Sequence, residues 1–220
     1  MDISGLLFID KPQGLTSHDV VDIVRRKLHI RKVGHTGTLD PLATGLLIIL
    51  VGRATKACNR FTSFDKEYVA SLTLGTATDT GDSQGKIILT AGYDGIGEDA
   101  VVSVLKSLEG NIEQIPPMVS AIKHKGRPLY KLARKGITVE RKKRTVIIHR
   151  LALRGVSLPT IEFEVRCSKG TYIRSLGEEI AKRLNSVGHI SQIRRTTIGE
   201  YRVTQAKTIE DFNADDIRPF

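Results

Sequence analysis

The segment from residue 34 to residue 51 constrains the fold more than any other part of this chain. Residues 34–45 are rich in Gly, Thr and Pro and predict a loop, whereas Leu46–Val51 is an unbroken apolar run that predicts a fully buried strand. Glycines give the loop backbone conformations that other residues avoid, and Pro41 biases Asp40 toward an extended conformation. We therefore expect the Asp40 carboxylate to be held on a restrained backbone at the edge of the core.

The rest of the chain predicts an α+β fold. Strand signals come in long runs with few helices among them, which favours a mostly antiparallel sheet. The 220 residues are expected to form a single domain, 1–220. The predicted strands are 5–9, 46–51, 67–74, 86–89, 145–156, 161–167 and 190–201, with a hairpin around Pro159. The first predicted helix is capped by Thr16 or Ser17 and has apolar positions from Val20 to Leu28; the others are 53–61, 98–108 (ended by Gly110), a short one between Pro128 and Gly136, and 171–184. A polar loop is predicted at 76–85.

Neither a membrane span nor a metal cluster is predicted. The longest apolar run, Leu46–Val51, is far too short to cross a bilayer, and no basic leader precedes the apolar residues near the N-terminus. A cytoplasmic location is therefore expected. Cys58 and Cys167 lie far apart and form no CxxC pair, so we predict reduced, buried thiols and no zinc site.

Basic residues are concentrated in three parts of the chain, which carries a net charge of +10 and has a pI of about 9.7. Eleven Lys and Arg residues lie between Lys123 and Arg150, where the only acid is Glu140. This segregation favours a track for a polyanion, and a solvated basic face is the alternative. The other two clusters are Arg25, Arg26, Lys27, Arg31 and Lys32, and then Arg194, Arg195 and Arg202.

Asp40 is the first candidate for chemistry. A carboxylate with a pKa of about 4 is ionised at neutral pH, where it can act as a nucleophile or a base. The alternative is a turn in which the Asp40 side chain only accepts hydrogen bonds from the backbone. The spacing of a phosphate-binding P-loop is missing, and a zinc site or a serine triad would lack partners.

The loop and six further segments resemble the TruB family of tRNA pseudouridine-55 synthases. The matches follow the family's order from about residue 5 to about residue 200, and such an ordered set does not arise by chance. The loop reads Gly34-His-Thr-Gly-Thr-Leu-Asp-Pro-Leu-Ala-Thr-Gly45; the other segments are Phe8-Ile-Asp-Lys-Pro-Gln-Gly14, Lys66-Glu-Tyr68, Gly75-Thr-Ala-Thr-Asp-Thr-Gly-Asp82, Ile115-Pro-Pro-Met-Val-Ser-Ala-Ile-Lys123, Cys167-Ser-Lys-Gly-Thr-Tyr-Ile-Arg-Ser-Leu176 and Ile193-Arg-Arg195.

The resemblance implies a catalytic role for three residues. Asp40 matches the family's catalytic aspartate. Tyr68 matches the tyrosine that stacks on the target base and moves its proton. Arg174 matches the arginine that pairs with the aspartate, where a guanidinium keeps the carboxylate ionised and oriented.

The same resemblance implies a set of substrate-binding residues. Tyr172 and Ile193 match residues that line the base pocket, and His35 matches a histidine that contacts the displaced RNA loop. Lys11 and Pro12 match a motif that supports the site. An aromatic platform and an apolar floor are expected because the base must leave its stack to be reached.

The resemblance implies the pseudouridine synthase fold, a mostly antiparallel, mixed central sheet flanked by helices, with residues 113–144 as a basic thumb insertion. The implied reaction converts uridine 55 in the tRNA T-loop without cofactor or metal; the expected partner is the T-arm of tRNA, and the expected state is a monomer. About twenty residues follow Tyr201, so we expect a short form without the C-terminal RNA-binding domain of the PUA type. Two alternatives stay open: a pseudouridine synthase for another RNA, and a non-catalytic RNA-binding protein or RNA chaperone of the same fold.

Overall fold

The computed structural model describes residues 3–120, 122–124, 126–133 and 135–220. The chain divides into two compact units, the first made of Met1–Tyr68 and Ile193–Phe220 and the second of Val69–Gln192. The strands are β1 Gly5–Lys11, β2 Val33–His35, β3 Thr44–Val51, β4 Lys66–Leu74, β5 Thr76–Thr78, β6 Ile87–Thr90, β7 Gly110–Gln114, β8 Lys123–His124, β9 Arg127–Pro128, β10 Arg144–Ser157, β11 Thr160–Cys167, β12 Gly188–Ile198 and β13 Tyr201–Arg202. The α-helices are α1 Ser17–Leu28, α2 Cys58–Thr62, α3 Glu98–Ser107, α4 Leu129–Ala133 and α5 Ile173–Arg183, and 3₁₀ turns occupy Gly52–Ala57, Val203–Gln205 and Ala214–Asp216.

The first unit is built around β3. This strand pairs antiparallel with β1 and β2, and it pairs in parallel with β12 at Thr44–Arg194 and Gly45–Arg195. All of β3 beyond its first residue is buried, as expected for an apolar strand that is covered on both faces. One core cluster of this unit consists of Leu6, Phe8, Leu46, Ile48, Leu50, Ala54, Phe61 and Ile198.

Helix α1 begins where the sequence predicts because Thr16 caps it. The Thr16 hydroxyl accepts a hydrogen bond from the Asp19 N–H at 3.1 Å, and the Asp19 carboxylate accepts one from the Thr16 N–H at 2.8 Å. This reciprocal capping box satisfies two N–H groups that a helix start leaves without partners. The buried face of the helix is formed by Ser17, Val20, Val21 and Val24.

The second unit is built on the hairpin of β10 and β11. The two strands pair antiparallel up to the Ser157–Thr160 pair beside the turn, and β7 pairs antiparallel with β10. Burial alternates along β11, so one face of this part of the sheet packs on the core and the other faces solvent. The strand order here is β12, β4, β11, β10 and β7, and both β12 and β4 also contribute residues to the first unit.

The predicted α+β class is confirmed, because the strands form a large, mostly antiparallel sheet flanked by helices. The predicted hairpin at Pro159, the capped helix α1 and the short helix after Pro128 are all present. Within the described residues, no helix is both long enough and apolar enough to cross a membrane.

Several predicted loops contain strands. Val33–His35 forms β2 and Thr44 already belongs to β3, so the predicted loop 34–45 shrinks to residues 36–43, and β5 lies inside the predicted polar loop 76–85. Gly110 does not end helix α3, which stops at Ser107; with φ of 95° it begins β7 instead. These short strands depend on partners that are distant in sequence, and local patterns carry no information about such pairing.

Candidate active site

The segment 36–43, here called the Asp40 loop, is fixed to the start of α1. The Ser17 hydroxyl accepts a hydrogen bond from the Leu39 N–H at 2.8 Å and donates to the Leu39 carbonyl at 3.2 Å. On the other side of the half-buried Asp40, its own carbonyl accepts from the Ala43 N–H at 3.0 Å, which closes a tight turn. The backbone is therefore held immediately before and immediately after the carboxylate.

Two glycines allow neighbouring chain segments to approach this loop. The Gly14 N–H donates to the Pro41 carbonyl at 2.8 Å. Gly45, the second residue of β3, has φ of +99°, and a Cβ atom there would lie 2.2 Å from the Arg195 carbonyl oxygen. Any larger residue at position 45 would therefore separate β3 from β12.

Arg195 is a buried cation that ties the Asp40 loop to β3. Its side chain is 1% exposed, its Nε donates to the Leu46 carbonyl at 2.8 Å, and its Nη2 donates to the Gly37 carbonyl at 3.1 Å. A buried guanidinium is costly unless its N–H groups are bonded. These carbonyl bonds therefore fix both the side chain and the loop backbone that it contacts.

Lys11 is a second buried cation, and Asp40 is among the charges that act on it. Its residue exposure is 0%, and its ammonium donates to the carbonyls of Pro12 and Leu15 at 2.8 and 2.7 Å. Burial lowers the pKa of Lys11 to about 8, the Asp40 charge opposes that shift, and the Arg195 charge adds to it. The site thus combines one carboxylate with two desolvated cations.

His35 lies at the end of β2, just before the Asp40 loop. Its Nδ1 accepts a hydrogen bond from the Gly37 N–H at 3.3 Å, and its carbonyl accepts one from the Cys58 thiol at 3.5 Å. Cys58 is half-buried, whereas the sequence predicted a buried thiol. Burial, and then the charge of Arg195, lower the pKa of His35, so the imidazole is neutral at pH 7.

Tyr68 and Ile193 also belong to the first unit. Tyr68 lies in β4 and is 9% exposed. Ile193 is half-buried in β12, and its carbonyl accepts from the Thr44 hydroxyl at 3.5 Å, which places it beside the end of the Asp40 loop. The next residue, Arg194, makes a bidentate ion pair with Asp10, at 3.0 and 2.6 Å. The two arginines after Ile193 therefore hold this part of β12 against the strands of the first unit.

Arg174 lies in the first turn of α5, in the second unit. It is 4% exposed, and its guanidinium donates to the carbonyls of Thr80 and Val119, both at 2.7 Å. Its Nε lies 3.8 Å from the carboxylate of Asp82, which is also buried. Asp82 in turn accepts hydrogen bonds from the Thr80 hydroxyl and the Gln84 N–H. A bonded carboxylate and two carbonyls therefore orient the guanidinium.

Tyr172, the residue that precedes α5, is held through its backbone. Its N–H donates to Gln114 Oε1 at 3.0 Å, and its carbonyl accepts from Gln114 Nε2 at 3.2 Å. The two predicted site residues of the second unit, Tyr172 and Arg174, thus lie at the start of α5. Farther along the helix, burial raises the pKa of Glu178, and the charges of Arg174 and Arg141 oppose that shift.

The predicted site residues are distributed over the two units. The first unit contains Lys11, His35, Asp40, Tyr68 and Ile193; the second contains Tyr172 and Arg174. Four residues that organise these sites were not predicted to do so, namely Ser17, Asp82, Gln114 and Arg195. Arg195 was expected in a basic cluster facing a polyanion, and that expectation is wrong because its side chain is buried and bonded to carbonyls. Asp82 and Arg195 lie inside the quoted motifs, so the motifs were a usable signal for these two.

The thumb, residues 113–144, has an exposed basic surface. Lys142 and Lys143 are exposed, and Lys143 makes an ion pair with Glu113 at 3.1 Å. Ala121, Lys125 and Arg134 lie outside the described residues. In the part of the chain that the structure describes, no group of three or more His, Cys, Asp or Glu side chains is arranged to hold a metal ion.

Known proteins resemble this chain over most of its length. Residues 25–173 match the N-terminal domain model of the TruB family of pseudouridylate synthases. tRNA pseudouridine synthase B of Neisseria meningitidis serogroup B is 46% identical over 208 residues, which cover 94% of this chain and 67% of that protein. The protein of the same name from Syntrophotalea carbinolica is 45% identical over 219 residues, which cover 99% of this chain and 72% of that protein.

Solved structures agree with the sequence relatives. A chain in the crystal structure of a Cbf5–Nop10–Gar1 complex has a TM-score of 0.74 and 29% identity, with coverage of 97% of this chain and 54% of that one. A chain in an H/ACA RNP bound to a substrate RNA containing 2'-deoxyuridine has a TM-score of 0.71 and 28% identity, with coverage of 96% and 52%. This chain spans about half the length of those chains. By its sequence and its fold, the chain belongs to the TruB family of pseudouridylate synthases.

Proposed function

We propose that this chain converts uridine 55 in the T-loop of tRNA to pseudouridine, with Asp40 as the catalytic carboxylate. The observation that carries the proposal is the fixed position of Asp40, on a backbone bonded by Ser17 on one side and closed by a turn on the other. The name tRNA pseudouridine synthase B, borne by relatives 45–46% identical to this chain, supports the substrate.

The proposed reaction is an isomerisation within one nucleotide. The N1–C1′ bond breaks, the uracil turns, C5 bonds to C1′, and the proton that C5 loses is balanced by one gained at N1. No electron leaves the nucleotide, so the overall reaction needs no redox partner. Asp40 can attack C1′ or remove the C2′ proton on a glycal route, and both routes require an ionised carboxylate.

The electrostatics of the first unit favour that ionised carboxylate. Lys11 and Arg195 are held in place by backbone carbonyls, and Asp40 opposes the fall in the Lys11 pKa more strongly than Asp19, the other anion that does so. The resemblance to the family supports Arg174 as the arginine that serves Asp40 in the reaction. Its guanidinium is oriented by Thr80, Val119 and Asp82, which preorganises it to stabilise charge.

The remaining predicted residues form the proposed base pocket. Tyr68 provides a ring on which the flipped uracil stacks and a hydroxyl that moves its proton, while Tyr172 and Ile193 line the pocket. His35 has a lowered pKa, so it contacts the displaced RNA loop as a neutral ring. Base–aromatic stacking contributes roughly 1–3 kcal/mol per base, enough to offset much of the cost of unstacking.

The thumb and the exposed members of the basic clusters provide the proposed RNA track. Lys142 and Lys143 are exposed, and Lys143 makes an ion pair with Glu113, which is also exposed. With a net charge of +10, the chain is suited to long-range attraction of a phosphate backbone. We propose that residues 113–144 close over the T-arm and that the protein acts as a cytoplasmic monomer.

The decisive experiment is to incubate the purified chain with unmodified tRNA and to map pseudouridine chemically at single-nucleotide resolution. We expect a single modified position, 55. The matched controls are a tRNA with cytidine at position 55 and the Asp40→Asn protein, neither of which should yield product. Modification of other RNAs but not of tRNA would favour the first alternative, and tight binding without any product would favour the RNA chaperone.

A further inference from the structure

Hydrogen bonds connect the base of the thumb to the start of α5, some made by side chains of the helix and others by a side chain of the thumb. We call residues 114–119 the thumb root. The Ser175 hydroxyl donates to the Ile115 carbonyl at 3.1 Å, and the Arg174 guanidinium donates to the Val119 carbonyl at 2.7 Å. The thumb root therefore supplies backbone acceptors to two consecutive residues of the helix that carries the proposed catalytic arginine.

Gln114 makes the third connection, and its geometry is the most specific of the three. It is 5% exposed at the end of β7, and its amide both donates to the Tyr172 carbonyl and accepts from the Tyr172 N–H. The same carbonyl accepts the Leu176 N–H at 3.0 Å and so begins the helix. A carboxamide of this length bonds both groups at once, since it carries a donor and an acceptor side by side.

The position of Gln114 depends in turn on both ends of the thumb. Gln114 pairs with Arg144, the first residue of β10, so the strands entering and leaving the thumb meet at this residue. Close to that pair, Arg141 Nη1 donates to the Pro116 carbonyl at 3.0 Å. A displacement of the thumb root is therefore transmitted to the amide that holds Tyr172.

We propose that Gln114 is a positioning residue for the reaction. It holds the backbone of Tyr172, and with it the first turn of α5 that bears Arg174, in a geometry set by the thumb root. This inference rests on the proposed function, in which Tyr172 and Arg174 serve the target uridine. Through Gln114, the grip of the thumb on RNA is linked to the arrangement of the base pocket.

The substitution Gln114→Glu tests this role with almost no change in shape. At pH 8 an ionised carboxylate still accepts from the Tyr172 N–H but repels the Tyr172 carbonyl. Acidification protonates the carboxyl and restores an O–H donor, and burial beside a carbonyl raises the pH at which this happens. We expect the single-turnover rate on a T-arm stem-loop, relative to wild type, to fall about tenfold or more at pH 8 and to recover toward pH 5.5.

The dissociation constant for the stem-loop should change by less than about threefold, because the variant alters positioning rather than phosphate contacts. Gln205→Glu is the matched control: Gln205 is exposed, its Oε1 accepts from the Arg202 N–H, and the charge change is the same. It should follow wild type at every pH. A wild-type rate for Gln114→Glu, a deficit that does not vary with pH, or a loss confined to binding would each overturn the proposal.

Hydrogen exchange keeps this inference separate from the proposed function. In the RNA-free protein, Gln114→Leu should speed exchange of the Tyr172 amide, which loses its acceptor, while the thermal unfolding midpoint verifies that the variant is folded. If the wild-type protein makes no pseudouridine, the proposed function fails, yet the exchange result still reports whether Gln114 holds Tyr172. An unchanged exchange rate of the Tyr172 amide in a folded Gln114→Leu protein would overturn the proposal that Gln114 holds the Tyr172 backbone.

Discussion

The cations that support the Asp40 loop are buried, whereas Lys142 and Lys143 of the thumb are exposed. Lys11 and Arg195 are 0% and 1% exposed, and each donates to two backbone carbonyls. The side chain of Lys143, in the thumb, is 62% exposed. Buried, bonded cations fix geometry, whereas solvated ones remain available to phosphates. Substitutions near the loop should therefore change the rate, and substitutions of the exposed thumb lysines Lys142 and Lys143 should change binding.

Asp40→Asn is the strongest test of the expectation that substitutions in the Asp40 loop change the rate and not the binding. The amide keeps the shape but loses the charge and the nucleophile, so we expect turnover to fall by at least about 10⁴-fold with the tRNA dissociation constant nearly unchanged. Single-turnover pseudouridine formation and filter binding measure the two quantities. Asp211→Asn, an exposed substitution that should have no effect on either, is the control. Substantial product from the Asn variant would remove Asp40 from the catalytic role.

Lys11 tests whether the buried cations behave as the structure requires. Below about pH 8 its ammonium is charged in both the folded and the unfolded chain; between about 8 and the ordinary value of 10.5 the unfolded chain keeps a proton that the folded chain has released. Because the unfolded chain then binds more protons, the Lys11 contribution to the free energy of unfolding rises with pH, by up to about 3 kcal/mol. Lys11→Met should lack this rise.

The measurement for Lys11 is urea unfolding of wild type and Lys11→Met at pH 7.5 and pH 10.5. The unfolding free energy of wild type minus that of Lys11→Met should increase with pH. The same subtraction for Lys86→Met, which replaces an exposed lysine, should give a constant value. Equal behaviour of the two lysines would mean that Lys11 is solvated, and the contrast between loop and thumb would disappear.

Tyr68→Phe separates stacking from proton transfer within the proposed pocket. The ring and its roughly 1–3 kcal/mol of stacking are retained, whereas the hydroxyl is lost. We expect the single-turnover rate to fall about 10²-fold and the dissociation constant to change little. Tyr93→Phe in the second unit provides a control for the loss of a hydroxyl. A wild-type rate in Tyr68→Phe would exclude a role for the hydroxyl in proton transfer.

The smallest expected effect belongs to the cations at residues 142–144 of the thumb, and it should appear in binding alone. If the chain contacts about 6–10 phosphates, affinity should fall by roughly 10³–10⁵ between 50 and 200 mM salt. Replacing Lys142, Lys143 and Arg144 with Gln should lower the slope of log affinity against log salt by about 2 and weaken binding roughly tenfold, with the chemical rate at saturation unchanged.

The matched control for the thumb replaces three other exposed lysines, Lys86, Lys106 and Lys182, with Gln, so that net charge falls equally. This protein should keep most of the wild-type salt slope. If both triple variants behave alike, net charge alone governs binding, and the segment 142–144 is an ordinary solvated face.

The sequence predicted the Asp40 loop well because its determinants are local. Glycines, Pro41 and the apolar run after them act within a few residues, and Thr16, one of two predicted caps, is equally close to the start of α1. By contrast, β2 and β7 are short and exist only through pairing with distant strands. Hydrophobic periodicity and strand propensity, measured over only three to five residues, do not indicate which distant strand is the partner.

The supporting residues were missed for a related physical reason. Arg195 is a charged residue in a strand, and whether such a side chain is solvated or buried depends on which carbonyls surround it after folding. Gln114 stands before Pro-Pro at the end of a strand, where it resembles a loop residue. Its partner, Tyr172, lies 58 positions away, and nothing in either local sequence indicates their contact.

The burial of Lys11 makes this residue a built-in reporter of opening of the first unit. An acylating reagent modifies lysine amines that it can reach, yet a side chain with no exposed surface is out of reach until the surrounding structure opens. The rate of covalent labelling at Lys11, read by mass spectrometry, therefore counts openings around Asp40 against a background of fast-reacting surface amines.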